Sequence, residues 1–386
     1  MAQIHSTAPE GPWNSAADGS GAGAAAATLA DLGEWELIRR LGAFAPAGQF
    51  ADDAALLPLA ATTAGRRETA GCNPDDTEGA LVVNTDVLVE GIHFSDATTA
   101  AADVGWRATA ANLSDLAAMG CMQGMGITVG LVAPARTPWS WVEGVYRGIA
   151  AALQAHGGVL LGGDCSSGAQ RLLAITALGR LPPAGGPIRR GDGRPGDLLV
   201  CSGPHGLSRL GLALLQAGLG SDPTGSAAAA EASGLSRLDP ALMRRAIQAH
   251  QRPLPRFDAV SALIGCRPEG MAWRVGGCDS SDGLAAAAAA IAAASGCAAR
   301  LDRRQLPLDP AMAALPQAQA WCLNGGEDFE LVLALAPAWA EALLTALPGS
   351  SVIGTLAHGA AGSLGWSDGA PWPAPKAAGE GFQHYR

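Results

Sequence analysis

The stretch Leu81-Val82-Val83-Asn84-Thr85-Asp86-Val87-Leu88-Val89-Glu90-Gly91-Ile92-His93-Phe94 decides how the rest of the chain is read. It begins as an apolar β-run, turns polar at Asn84-Thr85-Asp86 and ends on His93. A buried strand that delivers a carboxylate is a common way to present a metal ligand at the edge of a core. Three other stretches answer it: Ala51-Asp52-Asp53-Ala54-Ala55-Leu56-Leu57, Asn112-Leu113-Ser114-Asp115-Leu116-Ala117-Ala118-Met119-Gly120 and Cys278-Asp279-Ser280-Ser281-Asp282-Gly283. Each sets Asp beside small residues next to an apolar run. The expectation is that these carboxylates converge on metal ions.

Composition narrows the class. A chain of 386 residues is long enough for two domains of ordinary size. With 48% hydrophobic and 16% charged residues it reads as globular, not disordered. A net charge of -10 argues against a nucleic-acid partner. It leaves phosphate binding open, because Mg²⁺ can supply positive charge locally. None of the eight Cys residues forms a CxxC pair, so zinc-ribbon and redox-motif readings fail and reduced thiols in the cytoplasm are expected. The N-terminus lacks a basic start followed by an apolar core, and no apolar run has the length of a membrane span. The expected location is cytoplasmic, with no membrane partner.

Residues 1–30, rich in Ala, Gly, Ser and Pro, read as a disordered extension. Residues 31–182 read as a first domain and 183–386 as a second. The Pro- and Gly-dense segment 182–197 lies at the join. In the first, strands are expected over 81–89, 126–132 and 172–178, with helices over 102–119 and 139–156. The run Val159-Leu160-Leu161 is expected to be a strand ending in a Gly-rich turn, Gly162-Gly163-Asp164. In the second, strands are expected over 198–202, 329–335 and 351–356. Helices are expected over 206–217, 239–251, 258–264 and 339–347, with an Ala-rich helix after Gly283. Residues 218–236 read as a low-complexity insertion. This is an α/β chain of the α+β kind in two lobes, not a regular βαβ alternation.

Mg²⁺ prefers oxygen ligands and is typically shared between a few carboxylates and a substrate phosphate. Several carboxylates at one site repel one another unless cations neutralise them. A multi-Mg²⁺ phosphoryl-transfer site meets that requirement. Taken singly, each Asp also fits a helix cap or turn; recurrence beside Gly, Ser and Thr shifts the balance. The chain has no GxxxxGK[ST] loop, no convincing strand–GxGxxG–helix unit, no GxSxG elbow and no HExxH. Arg189, Arg190 and Arg194 fit a phosphate clamp or a solvated loop equally well. By itself His93 reads as a structural histidine and Tyr146 as packing at a helix edge.

Taken in order, these segments resemble thiamine-monophosphate kinases. Further matching pieces are Gly162-Gly163-Asp164, Arg194-Pro195-Gly196-Asp197, Gly325-Gly326-Glu327-Asp328-Phe329-Glu330 and the aromatic ending Gly381-Phe382-Gln383-His384-Tyr385. The resemblance covers residues 32–386. It implies the aminoimidazole-ribotide synthetase-like fold, with an N-terminal sheet domain that dimerises and a C-terminal α/β domain. It also implies direct, Mg²⁺-assisted transfer of the γ-phosphoryl group of ATP to thiamine monophosphate, without a phosphoenzyme, in a homodimer. Carried over by position, Asp53, Asn84, Thr85, Asp86, Asp115, Asp164, Asp279 and Asp282 would hold metal. Tyr146, Gly163, Asp164, Arg190 and Ser281 would contact ATP, and His93, Glu327 and Phe382 the acceptor. Asp86, Asp115, Asp282 and Arg190 would form the catalytic set.

An acceptor that is already a phosphate anion needs no strong base, which agrees with a site of carboxylates and Arg. Departures from the family pattern are Ala51 for Gly, Cys165-Ser166-Ser167 for Thr-Thr-Arg, Leu207 for Asp in a Gly-Asp-Ser turn, and Ala within 285–287 for Asp. The alternatives are another ATP-using enzyme of the same superfamily, or a non-catalytic nucleotide-binding homologue.

Overall fold

The computed structural model of the chain describes residues 28–46, 48–57, 79–219, 235 and 238–372. Most of the expected N-terminal extension, most of the insertion at 218–236 and the aromatic ending with Phe382 lie outside the described residues. The chain divides into two units, residues 1–41 with 383–386, and residues 42–382. In the first, helix α1 (Leu29–Leu41) is interrupted at Gly33, whose φ is 68°. Glu36 pairs with Arg39 at 2.6 Å and Arg40 at 2.9 Å along it.

The second unit holds two sheets. The first contains β1 (Ala55–Leu57), β2 (Leu81–Val89), β3 (Gly124–Ala133), β4 (Val159–Ser167) and β5 (Leu172–Arg180), in the order β1-β2-β5-β3-β4. All its pairings are antiparallel except β3 with β4. Helices α2 (Ala101–Ala118) and α3 (Trp139–His156) pack beside it. The alternation along β2 explains how it presents its polar residues. Val82, Asn84 and Leu88 are buried, while Thr85 and Val87 are exposed on the opposite face.

Helices α2 and α3 meet backbone to backbone. A Cβ on Gly105 would stand 1.9 Å from the Val145 carbonyl oxygen, and one on Gly148 would stand 1.8 Å from that of Ala102. Glycine at both positions is what lets the two helices approach this closely.

The second sheet runs β11-β8-β10-β6-β9-β7. Its strands are β6 (Leu198–Cys201), β7 (Gly276–Asp279), β8 (Ala298–Leu301), β9 (Leu331–Leu335), β10 (Ser351–Ala357) and β11 (Leu364–Trp366). The helices of this half are α4 (Leu207–Gln216), α5 (Pro240–Gln251), α6 (Phe257–Gly265), α7 (Leu284–Ala294), α8 (Ala318–Asn324) and α9 (Pro337–Ala346). No strand is shared between the sheets, yet one apolar core runs through both. Val82, Leu113, Ile127 and Ile175 belong to the same buried cluster as Val200, Leu263, Leu333 and Trp339.

Two local expectations need correction. Gly162-Gly163-Asp164 is not a turn; it continues β4, paired with Thr128, Val129 and Gly130 of β3. The ladder steps from Leu160 to Gly162, so Leu161 is an extra residue, and that bulge lets the strand run on through the glycines. The strand expected from Phe329 starts at Leu331 instead, because Gly326, Glu327 and Phe329 all take positive φ (67°, 58° and 53°). β8, β11 and α8 were not expected; β8 is only Ala-Ala-Arg-Leu, too short for a periodic pattern.

Candidate active site

Four of the Asp-bearing stretches meet where the edge strand β7 of the second sheet comes against α2 and the turn before β1. Asp279 ends β7, and its Oδ2 accepts a hydrogen bond from Ser114 Oγ of α2 at 2.8 Å. Its backbone N–H donates to Asp53 Oδ2 at 3.3 Å. Its Oδ1 accepts from Ser281 Oγ at 3.0 Å. From β2, Asn84 Nδ2 donates to Asp115 Oδ2 at 2.7 Å and to Asn112 Oδ1 at 3.2 Å. Asn112 Oδ1 also accepts from the backbone N–H of Asp86 at 3.1 Å. The second half of α2 thus holds β2 through Asn112 and Asp115 and β7 through Ser114.

Arg190 lies in a short 3₁₀ turn, Arg190–Asp192, just before the second sheet. Its guanidinium pairs with Asp53, and its backbone N–H donates to Asp52 Oδ1 at 2.8 Å. This is one cation among several carboxylates. Burial pushes the Asp53 carboxyl up to about 7, against the pull of Arg190 and helped by Asp279. Burial pushes Asp86 up to about 6, with Asp279 and Asp282 adding repulsion. Asp115 is raised well above the ordinary range by burial and by Asp86, Asp279 and Asp53. Left to itself the cluster holds protons; cations would displace them.

The donor chemistry fits a hard divalent cation. All the side chains that converge here offer oxygen, apart from Arg190. Asn84 Oδ1 is buried and has no hydrogen-bond partner, an acceptor left over after its amide has bonded Asp115 and Asn112. Among the described residues no three His, Cys, Asp or Glu groups stand close enough to share one ion unaided.

A second group of carboxylates is built on the turn that precedes β9. The Glu327 N–H donates to the Ser281 carbonyl at 2.7 Å, which ties this turn to the Asp279–Asp282 loop. Asp328 accepts from Gly206 N–H at 2.7 Å and Ser208 N–H at 3.0 Å, capping α4. Burial outweighs those two bonds and raises its carboxyl to about 7. Glu330 pairs with Arg256 and accepts from Ser202 Oγ. Glu327 pairs with Arg107 of α2. Burial works to raise its carboxyl, but Arg107, with His250 and His93 acting in the same sense, brings it below the ordinary value. His93 therefore stands within electrostatic reach of Glu327, and its Nδ1 accepts from the Val89 N–H at 3.0 Å.

The residues expected at the site are thus brought together unevenly. Asp53, Asn84, Asp86, Asp115, Arg190, Asp279, Ser281 and Asp282 gather at one place, with His93 and Glu327 adjoining through Ser281. The Thr85 side chain points to the other face of the first sheet, where its hydroxyl bonds Thr176 at 2.8 Å. Gly163 and Asp164 lie on β4, with Tyr146 of α3 close to Cys165 of that strand. β4 is the far edge of the sheet, three strands from β2. At about 4.8 Å per strand that is roughly 14 Å within one chain. Phe382 is outside the described residues. Arg107 and His250 were missed; a polar residue on an otherwise apolar helix does not name its partner. Asn112, Ser114 and Asp328 lie in motifs quoted from the sequence, but no role was read for them.

A two-sheet α/β chain with this carboxylate cluster defines a class. Residues 51–181 match the family model of the AIR synthase related protein, N-terminal domain. Within it, the thiamine-monophosphate kinase of Prochlorococcus marinus is 44% identical over 357 residues, covering 92% of this chain and 97% of that protein. That of Synechococcus elongatus is 44% identical over 320 residues, covering 83% and 87%. The chain belongs to the thiamine-monophosphate kinase family. A solved structure, AaThiL complexed with AMPPCP and TMP, matches with a TM-score of 0.71 at 25% identity over 93% of this chain and 99% of that one. The hydrogenase maturation protein HypE in complex with ATP shares the fold, with a TM-score of 0.55 at 16% identity over 86% and 92%.

Proposed function

We propose that this protein phosphorylates thiamine monophosphate to thiamine diphosphate with ATP as donor. The observation that carries the reading is the convergence of Asp53, Asp86, Asp115 and Asp279, with Arg190 paired to Asp53, in a chain whose relatives are thiamine-monophosphate kinases. The acceptor is already an anion, so the chain offers positioning and charge rather than a base. Asp53, Asn84, Asp86, Asp115, Asp279 and Asp282 would hold Mg²⁺. When bound, the metal would neutralise the charge on the transferred phosphoryl group and on the two phosphates flanking it. Arg190, buried on one side and paired with Asp53, would face the donor phosphates, with Ser281 beside it. Glu327 and His93 would hold the acceptor, with Phe382 stacking on its aromatic ring. Asp86, Asp115, Asp282 and Arg190 are the catalytic set.

Tyr146, Gly163, Asp164 and Thr85 fit this scheme through a second copy of the chain. β4 is exposed along its length, and Val159, Leu160 and Leu161 are 58%, 44% and 54% exposed. Val87 and Met125 add to the uncovered apolar surface. In a homodimer packed through this sheet, β4 of one copy would bring Gly163 and Asp164 toward Asp86 of the other. Leu161→Glu is expected to yield monomers by light scattering and to lose turnover; an intact dimer would overturn the sheet-mediated assembly. The join of an N-terminal ATP- and Mg²⁺-binding domain (31–182) and a C-terminal domain (183–386) is proposed at the Pro- and Gly-rich segment before β6. Among the described residues no helix is long and apolar enough to cross a membrane. We propose a cytoplasmic enzyme without membrane or nucleic-acid partners.

Incubation with ATP, Mg²⁺ and thiamine monophosphate, followed by ³¹P NMR, should reveal thiamine diphosphate and ADP in equal amounts. ATP binding without product would sink the kinase reading and favour a nucleotide-binding homologue.

A further inference from the structure

Glu327 carries an anion on a turn that would not hold its shape alone. Both Glu327 and Phe329 take left-handed backbone conformations that non-glycine residues rarely adopt. Four bonds pin the turn from below: Glu327 N–H to the Ser281 carbonyl, the Gly206 and Ser208 N–H groups to Asp328, and Glu330 N–H to Ser280 Oγ at 3.2 Å. The carboxylate itself is aimed from the side. Arg107 donates through Nη2 to Glu327 Oε1, and through Nη1 to the His250 carbonyl at 2.7 Å. The same Nη1 lies 3.1 Å from His250 Nδ1. Burial and the two arginines Arg107 and Arg209 hold the His250 imidazole near 3, with Glu327 opposing, so it stays neutral and can accept from Arg107. The exposures divide the roles: the Arg107 side chain is 3% exposed and that of Glu327 34%. A ligand meets Glu327, not Arg107.

Arg107 is also on the helix that carries Asn112, Ser114 and Asp115. Eight residues separate Arg107 from Asp115, about 12 Å of helix axis and just over two turns. One rigid element therefore bears both the support of Glu327 and the supports of the metal-side carboxylates. We infer that Arg107 is a positioning residue for the phosphate acceptor: through Glu327 it fixes the acceptor's distance from the carboxylate cluster along α2. This rests on Glu327 being a contact of thiamine monophosphate. Phosphoryl transfer between two bound anions depends on that alignment, so a displaced Glu327 costs both acceptor affinity and turnover.

The test is a double-mutant cycle of Arg107→Met and Glu327→Gln, with Arg107→Lys as the conservative variant, reading KM for each substrate and kcat. Arg107→Met is expected to raise KM for thiamine monophosphate about tenfold to a hundredfold, as for loss of a hydrogen bond between charged groups. KM for ATP should stay within about twofold. Arg107→Lys should fall between, because one ammonium cannot bond Glu327 and the His250 carbonyl in the same fork. The two effects should not multiply in the double variant. Equal shifts in both KM values, or multiplied effects, would overturn the inference and leave Arg107 a structural residue. If Arg107→Met does not fold, Arg107→Lys with Glu327→Gln supplies the same cycle. An unchanged KM for thiamine monophosphate in Glu327→Gln would instead remove Glu327 from the acceptor site, and the inference would fall for that separate reason.

Discussion

Asp53, Asp86 and Asp115 on one side of the site and Glu327 on the other are all carboxylates, yet their proton affinities move in opposite directions. The first three are raised by burial and by neighbouring carboxylates, Asp279 acting on all three, and of them only Asp53 is paired with a cation, Arg190. Glu327 is lowered, against its burial, by the buried Arg107 guanidinium paired with it, with His250 and His93 acting in the same sense. In the proposed scheme the carboxylate cluster, short of positive charge, would be neutralised by ions arriving with the donor, whereas Glu327 has its counter-charge built in before anything binds. Asp328 moves with the first three: its partners are the two N–H groups at the start of α4, and they do not offset its burial, which raises it to about 7.

The sharpest way to break this contrast is Asp86→Asn. It should lower kcat by about a hundredfold to a thousandfold, the usual scale for removing one electrostatic stabiliser of a transition state. Circular dichroism should show the fold intact. Without Mg²⁺ the variant should melt no lower than the parent, since one repelling charge is gone. Near-normal turnover would take Asp86 out of the metal site.

The next effect is on stability. Asp53 and Asp86 bind a proton more tightly folded than unfolded, where the ordinary value is 3.8. Their contribution is therefore fully present below about pH 4 and is lost as pH rises through about 6 for Asp86 and about 7 for Asp53. Melting in EDTA should fall over that window. Mg²⁺ at a hundred times its Kd should restore about 2.7 kcal/mol near pH 8, and less near pH 5, where protons compete for the same oxygens. A melting temperature indifferent to Mg²⁺ at every pH would end the comparison.

The smallest effect is Asp328→Asn. An amide has one acceptor oxygen for the two N–H groups of Gly206 and Ser208, so unfolding in urea should show a loss of about 1 kcal/mol. No loss would mean the start of α4 is satisfied without it.

Much of this was legible from residue order. β2 runs from Leu81 to Val89 as its alternation implied, and α3 spans Trp139–His156. The carboxylates of the four stretches do gather, Asp86 from within β2, Asp115 from the last turns of α2, Asp279 from the end of β7 and Asp53 from the turn before β1, whereas Asp164 lies on the far strand β4. Gly162-Gly163-Asp164 misled because glycines suggest a turn, and only pairing with β3 shows that the strand continues. Positive φ at Glu327 and Phe329 could not be read, since neither residue favours it and the bonds that impose it come from Ser281, Gly206 and Ser208.

The sequence by itself determined the family, the run of β2 and the supply of carboxylates. Those depend on which residues occur and at what local spacing. Tertiary structure alone decided which carboxylate received a cation. Arg107 and Glu327 are 220 residues apart, and Arg190 and Asp53 are 137 apart. Charge is a property of a residue, but the free energy of that charge belongs to its surroundings, and the surroundings exist only once the chain has folded.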